Sequence, residues 1–456
     1  MTPMVEQAAA IRRGELSSRE LTRVYLERIE ALDGRDGLNA FILSRGDDVL
    51  AEAARLDDRQ ASGRALGPLH GIPLALKDNL FTAGTVTSAG TAALDGFVPD
   101  RDATVVRLLK EAGALVIGKT NMHEYSFGVT SDNPRFGPVR NPYDPSRIPG
   151  GSSGGSGAAT AAGLCSAAIG TDTGGSVRIP AALCGAVGLK PTLGRVSTDG
   201  VLGLSWTCDV AGPIARTVED AAALLRVIGG GPAETLEPAP LKGLRVGVPG
   251  GFYATDNSPD VDSVLARTHK TLEAEGAVLV PVTVEGAERA GEIGSLTVLT
   301  EGTVSLEEAL RVAGVAGGLA GNLGRFGADI RGGLTRPIAA SAYAEAVSRS
   351  IPALRRGFAA ALSGVDVLLT ATTPTTAIPI AESRSMTHNG RIVDPFATFT
   401  RYTAGLSVTG LPALSIPAGF DRDGLPVGVQ LIGPRWSEGR LVEIALAMEQ
   451  VMVRRP

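Results

Sequence analysis

The chain has 456 residues, 44% of them hydrophobic, and a formal net charge of −5 with acids and bases mixed along its length. That size and apolar content fit one large α/β unit or two smaller ones and exclude a globally disordered chain. No basic block appears, so the electrostatic footprint of a nucleic-acid binder is missing.

The stretch ELSSRELTRVYLERIEALDG opens with the capping-box pair Ser17 and Glu20. Leu21, Val24, Tyr25, Ile29 and Leu32 follow at helical spacing, and Gly34 ends the run. A second helical stretch covers residues 46–62, so residues 1–65 read as an N-terminal helical segment packed on the body. Strand and helix signals then alternate, with strands expected at 72–76, 115–117, 244–248 and 365–369 and two more in LPALSIPAG and GLPVGVQLIG. No linker interrupts them, which makes residues 66–456 one compact α/β domain around a central sheet. Residues 285–360, rich in Gly and Ala, read as helical, and 380–400 as an irregular, mobile loop.

Three cysteines, Cys165, Cys184 and Cys208, lack CxxC spacing and fit reduced, buried thiols of a cytoplasmic protein, not a disulfide framework or a zinc site. The N-terminus lacks the charged-then-apolar pattern of a signal peptide. Residues 148–171 carry no charge, but their Gly, Ser, Ala and Thr content argues for a buried loop and helix instead of a membrane span.

Three short stretches hold candidate chemistry. In GTDTGGSVRIPAALCG, Ser176 follows Gly174 and Gly175, and the N–H groups of Thr173, Gly174, Gly175 and Ser176 can form a nest beside a hydroxyl, as acyl transfer requires. Taken alone, the same residues read more readily as a Gly-Gly turn with a capping serine. IPGGSSGGSGAATAAG contains a G-x-S-x-G match at 151–155, yet prolines 142, 145 and 149 argue against the preceding strand that a nucleophile elbow needs. Lys77 ends the apolar run PLALK, where burial would favour a neutral amine able to act as a base. Alone it reads as a structural lysine paired with Asp78 or Asp172. His70 and His123 have no partner at metal-ligand spacing, so neither a metal nor a Ser-His-Asp triad is expected.

In combination, LHGIPLALKDN, GGSSGGSGAA and GTDTGGSVRIPAALCG, followed by VGLKPTLGRVS, AGPIARTVEDAA and GLPVGVQLIG, resemble the amidase signature family from about residue 15 to the C-terminus. The resemblance implies a large mixed sheet covered by helices on both sides. It implies a Ser–cis-Ser–Lys triad in which Ser176 is the nucleophile, Ser152, after a cis Gly151–Ser152 peptide, relays the proton, and Lys77 is the ultimate acid/base. It places the oxyanion hole at Thr173, Gly174, Gly175 and Ser176, with Gly151, Ser153, Asp172 and Arg178 holding the loops. It implies no cofactor, a small-molecule amide substrate, no nucleic-acid or membrane partner, and a homodimer by analogy. The stretch 118–155 is similar to indoleacetamide and mandelamide hydrolases, which cleave primary amides of arylalkyl acids. The family's glutamyl-tRNA amidotransferase A subunits use an acid upstream of the PALSIP-like strand, and residues 395–417 contain none. Trp206, Phe326, Phe396, Phe399 and Tyr402 are aromatic candidates for the acyl pocket.

Overall fold

The computed structural model describes residues 1–230 and 236–452. Their centre is an 11-stranded sheet. In chain order its strands are β1 (Phe41–Ser44), β2 (Pro73–Lys77), β3 (Leu115–Thr120), β4 (Ala167–Asp172), β5 (Val187–Lys190), β6 (Val210–Ala215), β7 (Arg245–Pro249), β8 (Val278–Val282), β9 (Val367–Ala371), β10 (Ala413–Phe420) and β11 (Pro426–Ile432). Across the sheet they run β1-β3-β2-β4-β6-β5-β10-β11-β9-β7-β8. Parallel pairs β3–β2–β4 and β9–β7–β8 flank an antiparallel centre, so the sheet is mixed. β2, β3 and β4 are buried along their whole length, as continuous apolar runs covered on both faces must be.

The N-terminal helices form as their spacing dictates: Ser18–Leu32 starts on a complete capping box, with Ser17 and Glu20 bonding each other's backbone N–H. Residues 1–65 are not wholly helical, however. β1 pairs antiparallel with β3 at the sheet edge, and the Asp33 carboxylate accepts the N–H groups of Ala40 and Phe41 at 2.6 and 3.2 Å to set its entry. Four residues are too few to declare a period; the partner strand makes this one.

Residues 285–360 are helical as expected, dominated by Ala290–Val312 and Ile351–Leu362. Residues 380–400 are not an irregular loop. They form a hairpin, Met386–His388 against Arg391–Val393, and a helix, Pro395–Thr400. Met386 and Phe399 anchor this segment in a satellite core with Val129, Ile148 and Ile179, a long-range burial that local composition does not reveal. Within 148–171, the helix Gly154–Ala161 is joined by strand β4. Cys165, Cys184 and Cys208 are buried free thiols. Among the described residues no helix is long and apolar enough to cross a membrane.

Candidate active site

Parallel strands β2 and β4 lie side by side, with Leu76 in register with Ile169. Their C-terminal ends therefore bring Lys77 next to Thr171 and Asp172, the position where open α/β sheets place ligands. Lys77 is fully buried, and its Nζ donates to Ser152 Oγ at 2.7 Å and to Thr171 Oγ1 at 2.8 Å. Asn79 Nδ2 donates to the same Thr171 oxygen at 3.1 Å. Burial pulls the Lys77 pKa down to about 7, against the opposing charges of Asp209 and Asp172.

Lys119 and Lys190 make the comparison that isolates Lys77. Both are fully buried on the same sheet, and burial lowers them to about 8 and about 7. Lys119 donates to the Leu80 carbonyl at 2.6 Å and to the Thr87 and Thr82 hydroxyls at 2.8 and 3.3 Å, and lies 3.5 Å from Asp78, the partner the sequence offered to Lys77. Lys190 Nζ donates to the Pro191 and Leu411 carbonyls, both at 2.9 Å. A carbonyl cannot pass a proton on. Lys77 alone of the three meets only hydroxyls, which both give and take one.

Ser152 sits on the turn ahead of the helix Gly154–Ala161 and follows a cis Gly151–Ser152 peptide. Its carbonyl accepts the His123 N–H at 3.0 Å. Ser153 Oγ donates to the Thr171 carbonyl at 3.2 Å, tying this turn to β4. The helix of small residues is packed so closely that a Cβ on Gly155 would lie 2.3 Å from the Asn121 carbonyl oxygen. No strand leads into the G-x-S-x-G match; only an isolated bridge at Arg147 precedes it.

The turn after β4 carries Ser176. Asp172 and Arg178, both fully buried, form a paired ion bridge with contacts of 2.9 and 3.0 Å. The Arg178 guanidinium and further hydrogen bonds outweigh the cost of burial and hold the Asp172 carboxyl below its usual range. That carboxylate also accepts the N–H groups of Gly175 at 2.8 Å and Val177 at 3.2 Å. The Gly175 N–H is thus occupied by the turn, leaving Thr173, Gly174 and Ser176 as the nest's other members. Gly175 has φ +133°, and a Cβ there would lie 2.4 Å from Thr403 Oγ1, so both backbone and space demand glycine. Arg178 is locked further by Gln430 Oε1 at 3.2 Å and Ser407 Oγ at 2.9 Å. The Ser153 N–H donates to the Ser176 carbonyl at 3.3 Å and joins the two serine turns. Ser176 is 5% exposed, and its Oγ makes no hydrogen bond among the described residues, including to Ser152 Oγ.

A cavity of about 730 Å³ opens beside this turn, with Thr173 and Gly174 in its wall. Phe127 and Phe396, tilted at 37° with centroids 6.2 Å apart, line it with Phe252, Val298, Leu299 and Val408. Of the aromatic candidates only Phe396 belongs here. Phe326, Phe399 and Tyr402 are core residues, and Trp206 is 57% exposed on another cleft. His123 holds structure, as expected: Nδ1 accepts the Ser131 N–H at 3.2 Å and Nε2 lies 3.2 Å from Asp329.

Thr171, Asn79 and Asp209 join the site without having stood out as site residues in the sequence. Asp209 is buried; its Oδ1 accepts Thr173 Oγ1 at 2.6 Å and its Oδ2 accepts the N–H groups of Leu204 and Ser205 at 2.6 and 2.8 Å. Thr171 stands inside the GTDTGGS stretch and Asp209 two residues before AGPIARTVEDAA, so both were within reach of the motifs.

The family model described as Amidase matches residues 20–442. One of the curated glutamyl-tRNA(Gln) amidotransferase A subunits, that of Moorella thermoacetica, is 38% identical over 98% of this chain and 95% of its own length. A solved structure described as an amidase superposes with a TM-score of 0.91 at 34% identity, covering 99% of this chain and 100% of that one. The peptide amidase of Stenotrophomonas maltophilia superposes with a TM-score of 0.87 at 37% identity, covering 100% and 98%. The fold, the matched span and these relatives agree: this chain belongs to the amidase signature family.

Proposed function

We propose that this chain hydrolyses carboxylic acid amides through a serine acyl-enzyme, with aryl or arylalkyl acyl groups as its substrates. The observation that carries the reading is the 2.7 Å contact between a fully buried Lys77 Nζ and Ser152 Oγ. Neutral Lys77 takes the Ser152 proton as Ser152 takes that of Ser176, and Ser176 Oγ bonds to the amide carbon. The hydroxyl link from Ser152 to Ser176 forms as the substrate seats. The N–H groups of Thr173, Gly174 and Ser176 stabilise the tetrahedral oxyanion. The proton returns along the relay to the leaving nitrogen, the C–N bond breaks, and ammonia or an amine departs. Water then repeats the sequence on the ester, restoring Ser176 and releasing the acid.

The Phe127–Phe396 wall beside Gly174 supports an aromatic acyl group of the indoleacetamide or mandelamide kind. The curated relative from Moorella favours a second reading, the glutaminase component of an amidotransferase. Residues 395–417 carry no acid, but Asp394, one position earlier, lines the cavity while capping the next helix through the Phe396 N–H at 3.0 Å. Ammonia release by the purified chain from indoleacetamide, mandelamide, phenylacetamide, benzamide and glutamine, beside Ser176→Ala, separates the two. Turnover of the aryl amides supports the first reading. Silence on that panel, with glutaminase activity only when companion proteins are added, replaces it with the second.

A further inference from the structure

The turn that carries Ser176 has three carbonyls in a row, those of Gly174, Gly175 and Ser176. For an oxyanion to form beside Ser176 each must face away, because a carbonyl oxygen aimed at it repels it. Two of them are held by backbone donors: the Ile179 N–H reaches the Gly175 carbonyl at 2.7 Å, and the Ser153 N–H reaches that of Ser176 at 3.3 Å. The third is held by a side chain. Thr403 Oγ1 donates to the Gly174 carbonyl at 2.5 Å. The same hydroxyl lies 3.3 Å from the Thr400 carbonyl, and its single proton goes to the nearer acceptor.

That bond closes a clamp. The peptide joining Gly174 to Gly175 has its carbonyl on Thr403 and its N–H on Asp172 Oδ1 at 2.8 Å. Arg178 braces both sides: its guanidinium pairs with Asp172 at 2.9 Å and donates to the Thr403 carbonyl at 3.2 Å. Thr403 is fully buried and leads into the helix Ala404–Thr409. The need for a clamp is local. A Gly–Gly peptide has no Cβ on either side to restrict its rotation, and Gly175 already holds φ +133°. The N–H groups of Gly174 and Ser176 flank this peptide in the chain, so its tilt decides whether the two point to one place.

We infer that Thr403 is a positioning residue for the oxyanion site: its hydroxyl fixes the Gly174–Gly175 peptide and, through it, the N–H groups of Gly174 and Ser176. The inference rests on the proposed acyl-enzyme chemistry. Thr400 and Ala404, on either side of Thr403 in the chain, line the acyl cavity, so one segment both shapes that cavity and sets the donors beside it.

A fluorophosphonate tests the site without a choice of amide. Ser176 Oγ bonds to phosphorus, the P–F bond breaks, fluoride leaves, the hydroxyl proton passes through Ser152 to Lys77, and the phosphoryl oxygen takes the place of the oxyanion. Labelling of the unmodified chain, Thr403→Val, Thr403→Ala and Thr403→Ser is followed by mass spectrometry of the intact protein across a range of reagent concentrations. Thr403→Val keeps the shape and loses the hydroxyl. It is expected to lower the maximal labelling rate about tenfold, less than the ~10²–10³ lost when a donor is removed outright, with the half-saturating concentration unmoved. Thr403→Ser restores the hydroxyl and is expected to restore most of the rate. Urea unfolding checks that each variant folds, and Thr403→Ala is read in place of Thr403→Val should the latter not fold. An unmodified chain that does not label at Ser176 overturns the acyl-enzyme reading and this inference together. Labelling of the hydroxyl-free variant at the unmodified rate, a loss carried wholly by the half-saturating concentration, or equal slowing in Thr403→Ser overturns the inference alone.

Discussion

Lys77 and Ser152 meet at 2.7 Å although 75 residues separate them in the chain, and Lys77 has no exposure to solvent. The end of β2 supplies the amine and a separate turn the hydroxyl; in the proposed relay neither works without the other. Replacing Lys77 by Met leaves Ser152 without its proton acceptor. Amide turnover is expected to fall ~10²–10⁴-fold, the range of a lost general base. Ser176→Ala is expected to abolish labelling by a fluorophosphonate altogether, which mass spectrometry of the intact protein reads directly.

In the proposed mechanism the amine must be neutral to act. Burial brings Lys77 to about 7, so kcat/KM is expected to rise with pH through an acid limb near about 7. Asp209 is the larger of the two charges holding that value up. Asp209→Asn is therefore expected to move the limb to lower pH, alongside any loss from releasing Thr173. A pH profile that does not move would remove Asp209 from the electrostatics of the site.

The same shift has a consequence for stability. Between about 7 and 10.5 the unfolded chain holds the Lys77 proton and the folded chain does not, so this residue makes stability rise with pH across that window. Lys190, lowered to about 7, and Lys119, lowered to about 8, act in the same direction. Lys77→Met is expected to flatten part of the rise, measured as urea unfolding free energy against pH relative to the unmodified chain.

Asp172 and Arg178 hold the Ser176 turn from beneath, and both are fully buried. Arg178→Ala strands a buried carboxylate and is expected to cost about 3–5 kcal/mol in denaturant unfolding. Arg178→Lys keeps the charge but loses the two-pronged contact, and is expected to fall between Arg178→Ala and the unmodified chain.

Gly174 and Gly175 are neighbours with opposite requirements. A methyl on Gly175 meets Thr403 Oγ1 at 2.4 Å, whereas on Gly174 the nearest atom is Thr400 Cγ2 at 3.8 Å. Gly175→Ala is expected to disable both the turn and activity. Gly174→Ala is expected to fold normally and to shift preference toward smaller acyl groups, seen as a rise in KM that grows with acyl size.

Much of the site is legible in the chain because its motifs are local. Turn glycines, a serine after them and a lysine closing an apolar strand each obey short-range rules that alone read as ordinary structure, and it is the resemblance carried by their combination that names Lys77, Ser152, Ser176, Asp172 and Arg178 at their positions. β1 and the 386–393 hairpin cannot, since a strand of three or four residues exists only through its partner or its buried anchor. Thr171 escapes for a related reason: its hydroxyl acquires meaning from the lysine that a parallel strand lays beside it.

Composition and periodicity were enough for an α/β chain and for the order of many of its strands and helices, since turn chemistry and side-chain spacing are written along the backbone; the family came from the resemblance that three short motifs carry together. Which buried lysine faces only hydroxyls was not written there. Lys77, Lys119 and Lys190 all stand at or near the ends of buried strands, and strand pairing across the sheet selects their partners. The aromatic wall of the cavity beside Gly174 likewise draws Phe127 and Phe396 from segments far apart in sequence, and long-range packing alone brings them together.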